Sequence, residues 1–123
     1  SSRRASIWLA TSMTKNNPHR PTDVFYAIIS KDKQDSLQRR LAARPAHMER
    51  LKSLQTQGRL LLAGPHPAID SPQPGEAGFT GSLIVAEFDS LHDAETWAAA
   101  DPYVEADVYA KVTVKPFLKV LPA

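Results

Sequence analysis

Two short segments of this chain, residues 24–29 (Val-Phe-Tyr-Ala-Ile-Ile) and 83–86 (Leu-Ile-Val-Ala), are apolar at every position. Successive side chains of a strand point to opposite faces, so a strand with one wet face alternates apolar and polar residues. Here Tyr26 and Ile28 share one parity while Phe25, Ala27 and Ile29 share the other, and Leu83, Ile84 and Val85 repeat the situation. A sheet built from these segments needs cover on both faces. That requirement restricts the fold more than composition does.

The rest of the chain supplies cover for one face. From Ser36, Leu37 and Leu41 keep helical spacing as far as Arg44-Pro45. The residue before a proline is pushed out of the α region, so the helix is expected to break or kink there. Pro45 suits the first position of a second helical segment, with Met48, Leu51 and Leu54 as its stripe and Gly58 as its C-terminal cap. Residues 59–65 read as a central strand, and 64–78, with four prolines and three glycines, as a long loop of the lid type. A strand follows over 79–88. Ser90, three residues before Asp93, approximates a capping box for a helix whose apolar face is Leu91, Ala94, Trp97 and Ala98. Asp101 is a good N-cap and Pro102 a good first residue for a short helical turn ending near Glu105. Val108, Ala110, Val112 and Val114 then alternate with Tyr109, Lys111, Thr113 and Lys115, a strand with its valines inward.

The order β-α-β-β-α-β is the split βαβ arrangement of a ferredoxin-like α+β sandwich, an antiparallel sheet with two helices on one face. Two layers cover only one sheet face, so the other is expected to meet a second copy in a homodimer. At 123 residues there is room for one domain, and no apolar run approaches the roughly 18 residues that cross a bilayer.

The net charge of +2 is unevenly spread. Residues 1–22 carry Arg3, Arg4, Lys15 and Arg20 with no acid, whereas 23–123 hold 11 Lys and Arg against 13 Asp and Glu. Without a basic stripe on the body, no nucleic-acid partner is expected, and no membrane partner either. The apolar run Ile7–Ala10 is shorter than a secretory core of roughly 7–15 residues, so a cytoplasmic protein is expected. Trp8, with Ile7 and Leu9, is the expected anchor of this arm. Cysteine is absent, which removes disulfides, thiolate catalysis and Cys-ligated metals. The histidines have no metal-ligand spacing and the glycines no nucleotide fingerprint, so neither metal nor cofactor is expected.

Chemistry is then left to His, carboxylates, hydroxyls and Arg. His19 lies in the arm, and His92 sits in a first helical turn among Ser90, Asp93 and Glu95, where water is its simplest partner. His47 is different. At 100° per residue it falls within about 60° of Leu51 and Leu54, on the inward stripe. Just after Pro45, the positive end of the helix dipole would also oppose its imidazolium form. Residue types alone leave it either a core histidine with both nitrogens satisfied or a base. Asp101 reads equally well as a helix cap, Tyr103 as a packing residue, Arg44 as a surface charge or an anion ligand, and Ser82 as a polar residue of an exposed edge.

Five ordered motifs sharpen this reading: Val24-Phe25-Tyr26-Ala27-Ile28; Arg44-Pro45-Ala46-His47-Met48; Gly58 to Pro65; Gly78-Phe79-Thr80-Gly81-Ser82; and Asp101-Pro102-Tyr103 with Val114-Lys115-Pro116-Phe117. Together they make residues 24–120 resemble the YciI-like (YCII-related) family. The resemblance implies a ferredoxin-like fold that dimerises in the manner of dimeric α/β barrels. It also implies a His–Asp pair in a cleft, mapping onto His47 and Asp101. Because the start of the first helix and the segment after the second can approach each other on the helix side of a split βαβ sheet, the two are expected within hydrogen-bond reach directly or through one water. One related branch removes chloride from a chlorinated hydroquinone, and muconolactone isomerases share the wider fold. A cofactor-independent lyase or isomerase is therefore implied, moving a proton on a small, anionic or ring-containing metabolite. Arg44, Ser82, Tyr103 and His66 are the expected substrate contacts. The alternative is a non-catalytic homodimer binding a small metabolite in the same cleft. Family members begin with methionine where Val24 stands, so residues 1–22 are expected to be an extension outside the domain 23–123.

Overall fold

The structure, a computed structural model, describes residues 24–123. The arm, with Ile7, Trp8, Leu9 and His19, lies outside the described residues. Strand β1 is Val24–Asp32, helix α1 Leu37–Thr56, strand β2 Leu60–Pro67, strand β3 Phe79–Glu87, helix α2 Leu91–Ala99, helix α3 Pro102–Glu105 and strand β4 Tyr109–Leu118, with a single 3-10 turn at Gly75–Ala77. The four strands form one sheet in the order β2-β3-β1-β4, with every neighbouring pair antiparallel. This is the ferredoxin-like α+β fold.

Register decides which side chains meet the helices. Tyr26 pairs with Ala86, Ile28 with Ile84 and Ser30 with Ser82. Tyr26, Ile28, Ile84 and Ala86 form one buried cluster with Leu51 and Leu54 of α1 and Ala94 and Ala98 of α2. The other parity, Phe25, Ala27, Ile29, Leu83 and Val85, faces away from the helices; Ala27 and Val85 are buried within the chain, whereas Phe25 and Leu83 are half-buried and Ile29 is exposed. No helix among the described residues is long and apolar enough to cross a membrane.

The helix ends follow their residues. Ser90 Oγ accepts the Asp93 N–H at 3.0 Å, the predicted cap of α2. Gly58, at φ 73°, ends α1: its N–H reaches the Gln55 carbonyl, and the Arg59 N–H reaches that of Leu54, both at 3.0 Å. This is a Schellman closure, which needs the left-handed residue that glycine supplies.

Three expectations are corrected. α1 does not break at Pro45 but runs through it for 20 residues. Pro45 and Leu41 are both exposed, so water can satisfy the Leu41 carbonyl that loses its partner. His47 is therefore mid-helix, and the helix dipole end does not act on it. Next, β2 is an edge strand, not a central one, and continues through Gly64–Pro67 into the supposed loop. An edge tolerates prolines because one row of its N–H groups has no neighbour to serve. Finally, Leu41 is 49% exposed, and the inward line of α1 is Arg40, His47, Leu51 and Leu54.

Candidate functional site

Helix α1 lies over β3 and β2, and between them is a cavity of about 330 Å³. From α1 it is lined by Arg40, Arg44, His47, Met48, Leu51 and Lys52. Ala63 and Pro65 of β2, Ser82 and Ile84 of β3, and Tyr103 of α3 close it. Small-molecule sites begin at about this size and share this mixture of apolar walls and a few polar groups.

His47 and Asp101, 54 positions apart, meet here. Imidazole Nδ1 lies 2.9 Å from Asp101 Oδ1 and 3.0 Å from Oδ2. Both side chains are almost fully buried, at 8% and 3% exposure. Asp101 also caps α3, since its Oδ1 accepts the Tyr103 backbone N–H at 2.9 Å. Cap and histidine partner, alternatives in the sequence, are one carboxylate acting twice. An ionised carboxylate only accepts hydrogen bonds, so the pairing calls for a proton on Nδ1, and in the neutral imidazole the lone pair is then on Nε2. With Nδ1 held by Asp101, Nε2 is the nitrogen left to the cavity that His47 lines.

Tyr103 forms the back of the site. Its ring stacks on His47 with centroids 4.0 Å apart, and the Arg40 guanidinium lies 4.7 Å from the centroid of the same Tyr103 ring. Burial pushes the Tyr103 phenol up from its ordinary value. Arg40 is held by Asp32 in a two-point ion pair, Nε to Oδ2 at 2.9 Å and Nη2 to Oδ1 at 3.2 Å, and donates further to the Gly81 carbonyl at 3.3 Å. Burial opposes its charge, but the Asp32 bonds and Coulomb attraction outweigh that and raise its pKa. Gly81 is obligatory in this packing, since a Cβ there would collide with the Ser30 carbonyl oxygen.

Ser82 Oγ pairs with Tyr109 Oη at 2.8 Å, and burial pushes the Tyr109 phenol up to about 12. Simple alternation puts Tyr109 on the outer face with Lys111. The register shift opposite Lys31/Asp32 reverses this: Lys31 pairs with Lys111, but Asp32 pairs with Tyr109, which turns Tyr109 to the helix side.

Of the expected contacts, Arg44, Ser82 and Tyr103 line the cavity with His47, and Asp101 stands behind it. His66 does not. It pairs with Gly81 on the parity of β2 opposite to Ala63 and Pro65, so it is exposed and outside the cavity lining. His92 is exposed on α2, as expected. Arg40, Asp32 and Tyr109 were not singled out by sequence. Arg40 had a usable signal, because it falls within about 60° of His47, Leu51 and Leu54 on the helical wheel. Among the described residues, no group of three or more His, Cys, Asp or Glu side chains gathers in an arrangement for a metal ion.

The YCII-related domain profile matches residues 24–118. The chain belongs to the YCII-related family. It is 60% identical over 97 residues to protein YciI of Escherichia coli O6:H1, a match covering 79% of this chain and 99% of that protein. A Haemophilus influenzae protein is 57% identical over 97 residues, with the same two coverages, 79% and 99%. Among solved structures, this YCII-related chain is similar to 5-chloro-2-hydroxyhydroquinone dehydrochlorinase from Burkholderia phenoliruptrix AC1100, seen in complex with 2,5-dihydroxybenzoquinone. That likeness has a TM-score of 0.64 at 25% identity and covers 74% of this chain and 90% of the other.

Proposed function

We propose that this YCII-related protein is a small cofactor-independent enzyme of the lyase or isomerase kind, with His47 as general base. The observation that carries the reading is the pairing of His47 Nδ1 with the Asp101 carboxylate at 2.9 Å, which leaves Nε2 to the cavity. Asp101 fixes the tautomer and balances the charge that His47 gains when it takes a proton. The substrate is a small ring compound carrying an acidic or hydroxyl oxygen. Its C–H or O–H proton moves to Nε2. The released electron pair then either expels a leaving group such as chloride, or the proton returns at another carbon. Ser82, held by Tyr109, donates to the oxygen on which charge develops, and Arg44 attracts the anion. The similar dehydrochlorinase, bound to a dihydroxybenzoquinone, supports this substrate class.

The active form in this proposal is a homodimer joined through the sheet face of Phe25, Ile29 and Leu83, supported by the apolar character of that face.

The test is turnover on a panel of chlorinated hydroquinones and unsaturated lactones, read as chloride release or a change in ultraviolet absorbance. His47→Ala should lower any activity found by about 10²–10⁴-fold while the protein stays folded. Equal rates for the wild type and His47→Ala, or binding with no turnover of any compound, would refute the catalytic role.

A further inference from the structure

The cavity is electrostatically one-sided. Three of its lining residues are cationic, Arg40, Arg44 and Lys52, and none is acidic. Arg40 is already neutralised by its two bonds to Asp32. Arg44 and Lys52 have no ion-pair partner among the described residues, and both stand exposed at the cavity rim. They occupy one row of α1 with Met48 between them, at i, i+4 and i+8. Eight residues span about 12 Å along a helix axis, so the two charges serve different ends of the cavity. Arg44 is one turn from His47. Lys52 stands about two turns beyond Arg44 along α1, toward the end of the helix where Gln55 also lines the cavity. Between them the walls are apolar: Met48, Leu51, Ala63, Pro65 and Ile84.

We infer that Lys52 is a second anion-binding position, and that the ligand of this cavity carries two anionic groups on a compact apolar frame. One group lies near Arg44 and His47, the other at Lys52. This rests on the proposed use of the cavity as the substrate site and narrows its substrate to a dianion. Size agrees, since a cavity of about 150 Å³ accepts a bare benzene ring. The 330 Å³ available here therefore holds a ring with a substituent at each end. A dianion meets complementary charge at both ends, whereas a monoanion of the same shape leaves Lys52 to water. A lysine, as a point charge on a flexible stem, suits a terminal carboxylate whose position varies.

The test uses two unreactive probes of nearly equal shape, benzene-1,4-dicarboxylate and 4-methylbenzoate, titrated into the full chain by calorimetry or NMR at low and physiological salt. The dianion should bind about three- to tenfold more tightly, with an advantage that shrinks as salt rises. Lys52→Gln should remove that advantage and leave 4-methylbenzoate unchanged, Arg44→Gln should weaken both probes, and Lys119→Gln, beyond β4, should change neither. Equal affinities for the two probes, equal losses for both with Lys52→Gln, or no binding of either probe would overturn the inference. Because neither probe reacts, the result is independent of turnover. A catalytic failure of His47→Ala and a failure of dianion selectivity are separately visible.

Discussion

Tyr103 lies flat against His47, with ring centroids 4.0 Å apart and planes 16° from parallel. Its backbone N–H donates to Asp101, the same carboxylate that holds the imidazole, at 2.9 Å. One residue thus fixes the histidine from the side and its partner from behind. Tyr103 is only 1% exposed, so Tyr103→Ala should cost roughly 3–5 kcal/mol in denaturant unfolding. Tyr103→Phe keeps the ring and should lose far less. Equal losses from the two variants would show that the hydroxyl, not the stacked ring, is what the fold depends on.

Asp101 should set the tautomer of His47. Nitrogen NMR of the wild type is expected to show a protonated Nδ1 and a bare Nε2. In Asp101→Asn the amide can donate to Nδ1 while its carbonyl still accepts from Tyr103, so the proton should move to Nε2 with the cap retained. That variant should stay folded and lose about 10²–10⁴-fold of any base-dependent activity. An unchanged Nδ1–H signal in Asp101→Asn would break the link between carboxylate and tautomer.

Element order, both faces of the sheet, the Ser90 and Asp101 caps and the inward position of His47 were legible because each rests on local periodicity or cap chemistry. Their pairing needed the resemblance, since no local pattern brings positions 47 and 101 together. Three features escaped for different physical reasons. Pro45 is a helix breaker by local rule, yet its exposed site lets water replace the lost bond. The prolines of β2 look like a loop until the strand is known to be an edge. Simple alternation puts Tyr109 on the wrong face because one irregularity in register, opposite Lys31/Asp32, intervenes between it and the rest of β4. Arg40 illustrates a different limit: a charged residue on an inward line reads as a fault until its partner, Asp32, is placed beside it.

That ion pair makes its own prediction. The two side chains are 6% and 2% exposed, so removing one partner leaves a buried, uncompensated charge. Arg40→Met and Asp32→Leu should each cost about 3–5 kcal/mol, measured by urea unfolding, while the double replacement should recover much of that loss. Strict additivity of the two single losses would mean the groups do not interact.

The outer sheet face should hold two copies together. Ile29 on that face is 37% exposed in the single chain, so Ile29→Glu should leave the melt cooperative and shift the protein toward monomer. Light scattering over a dilution series distinguishes the 13.5 kDa chain from twice that mass. A wild-type monomer at micromolar concentration would remove the interface.

Alkaline stability should report on the hydroxyl pair. Burial raises the Tyr109 phenol from its ordinary value near 10.0 to about 12, because the phenolate would lose its water. Between those values the folded chain keeps a proton that the unfolded chain has released, so unfolding becomes easier as pH rises. The contribution is fully present below about pH 10 and is lost as pH climbs through about 12, and it amounts to roughly 2–3 kcal/mol. Tyr103, also raised by burial, acts in the same direction and remains in a Tyr109 variant. Tyr109→Phe should therefore make the alkaline fall in unfolding free energy shallower without abolishing it. At neutral pH it should cost about 0.5–1.5 kcal/mol, for the hydrogen bond that Ser82 Oγ loses. Denaturant midpoints from neutral pH upward, recorded alongside tyrosinate absorbance, provide the comparison. Lysine deprotonation affects both proteins alike, so identical alkaline slopes for the two would mean that Tyr109 titrates as it does in water.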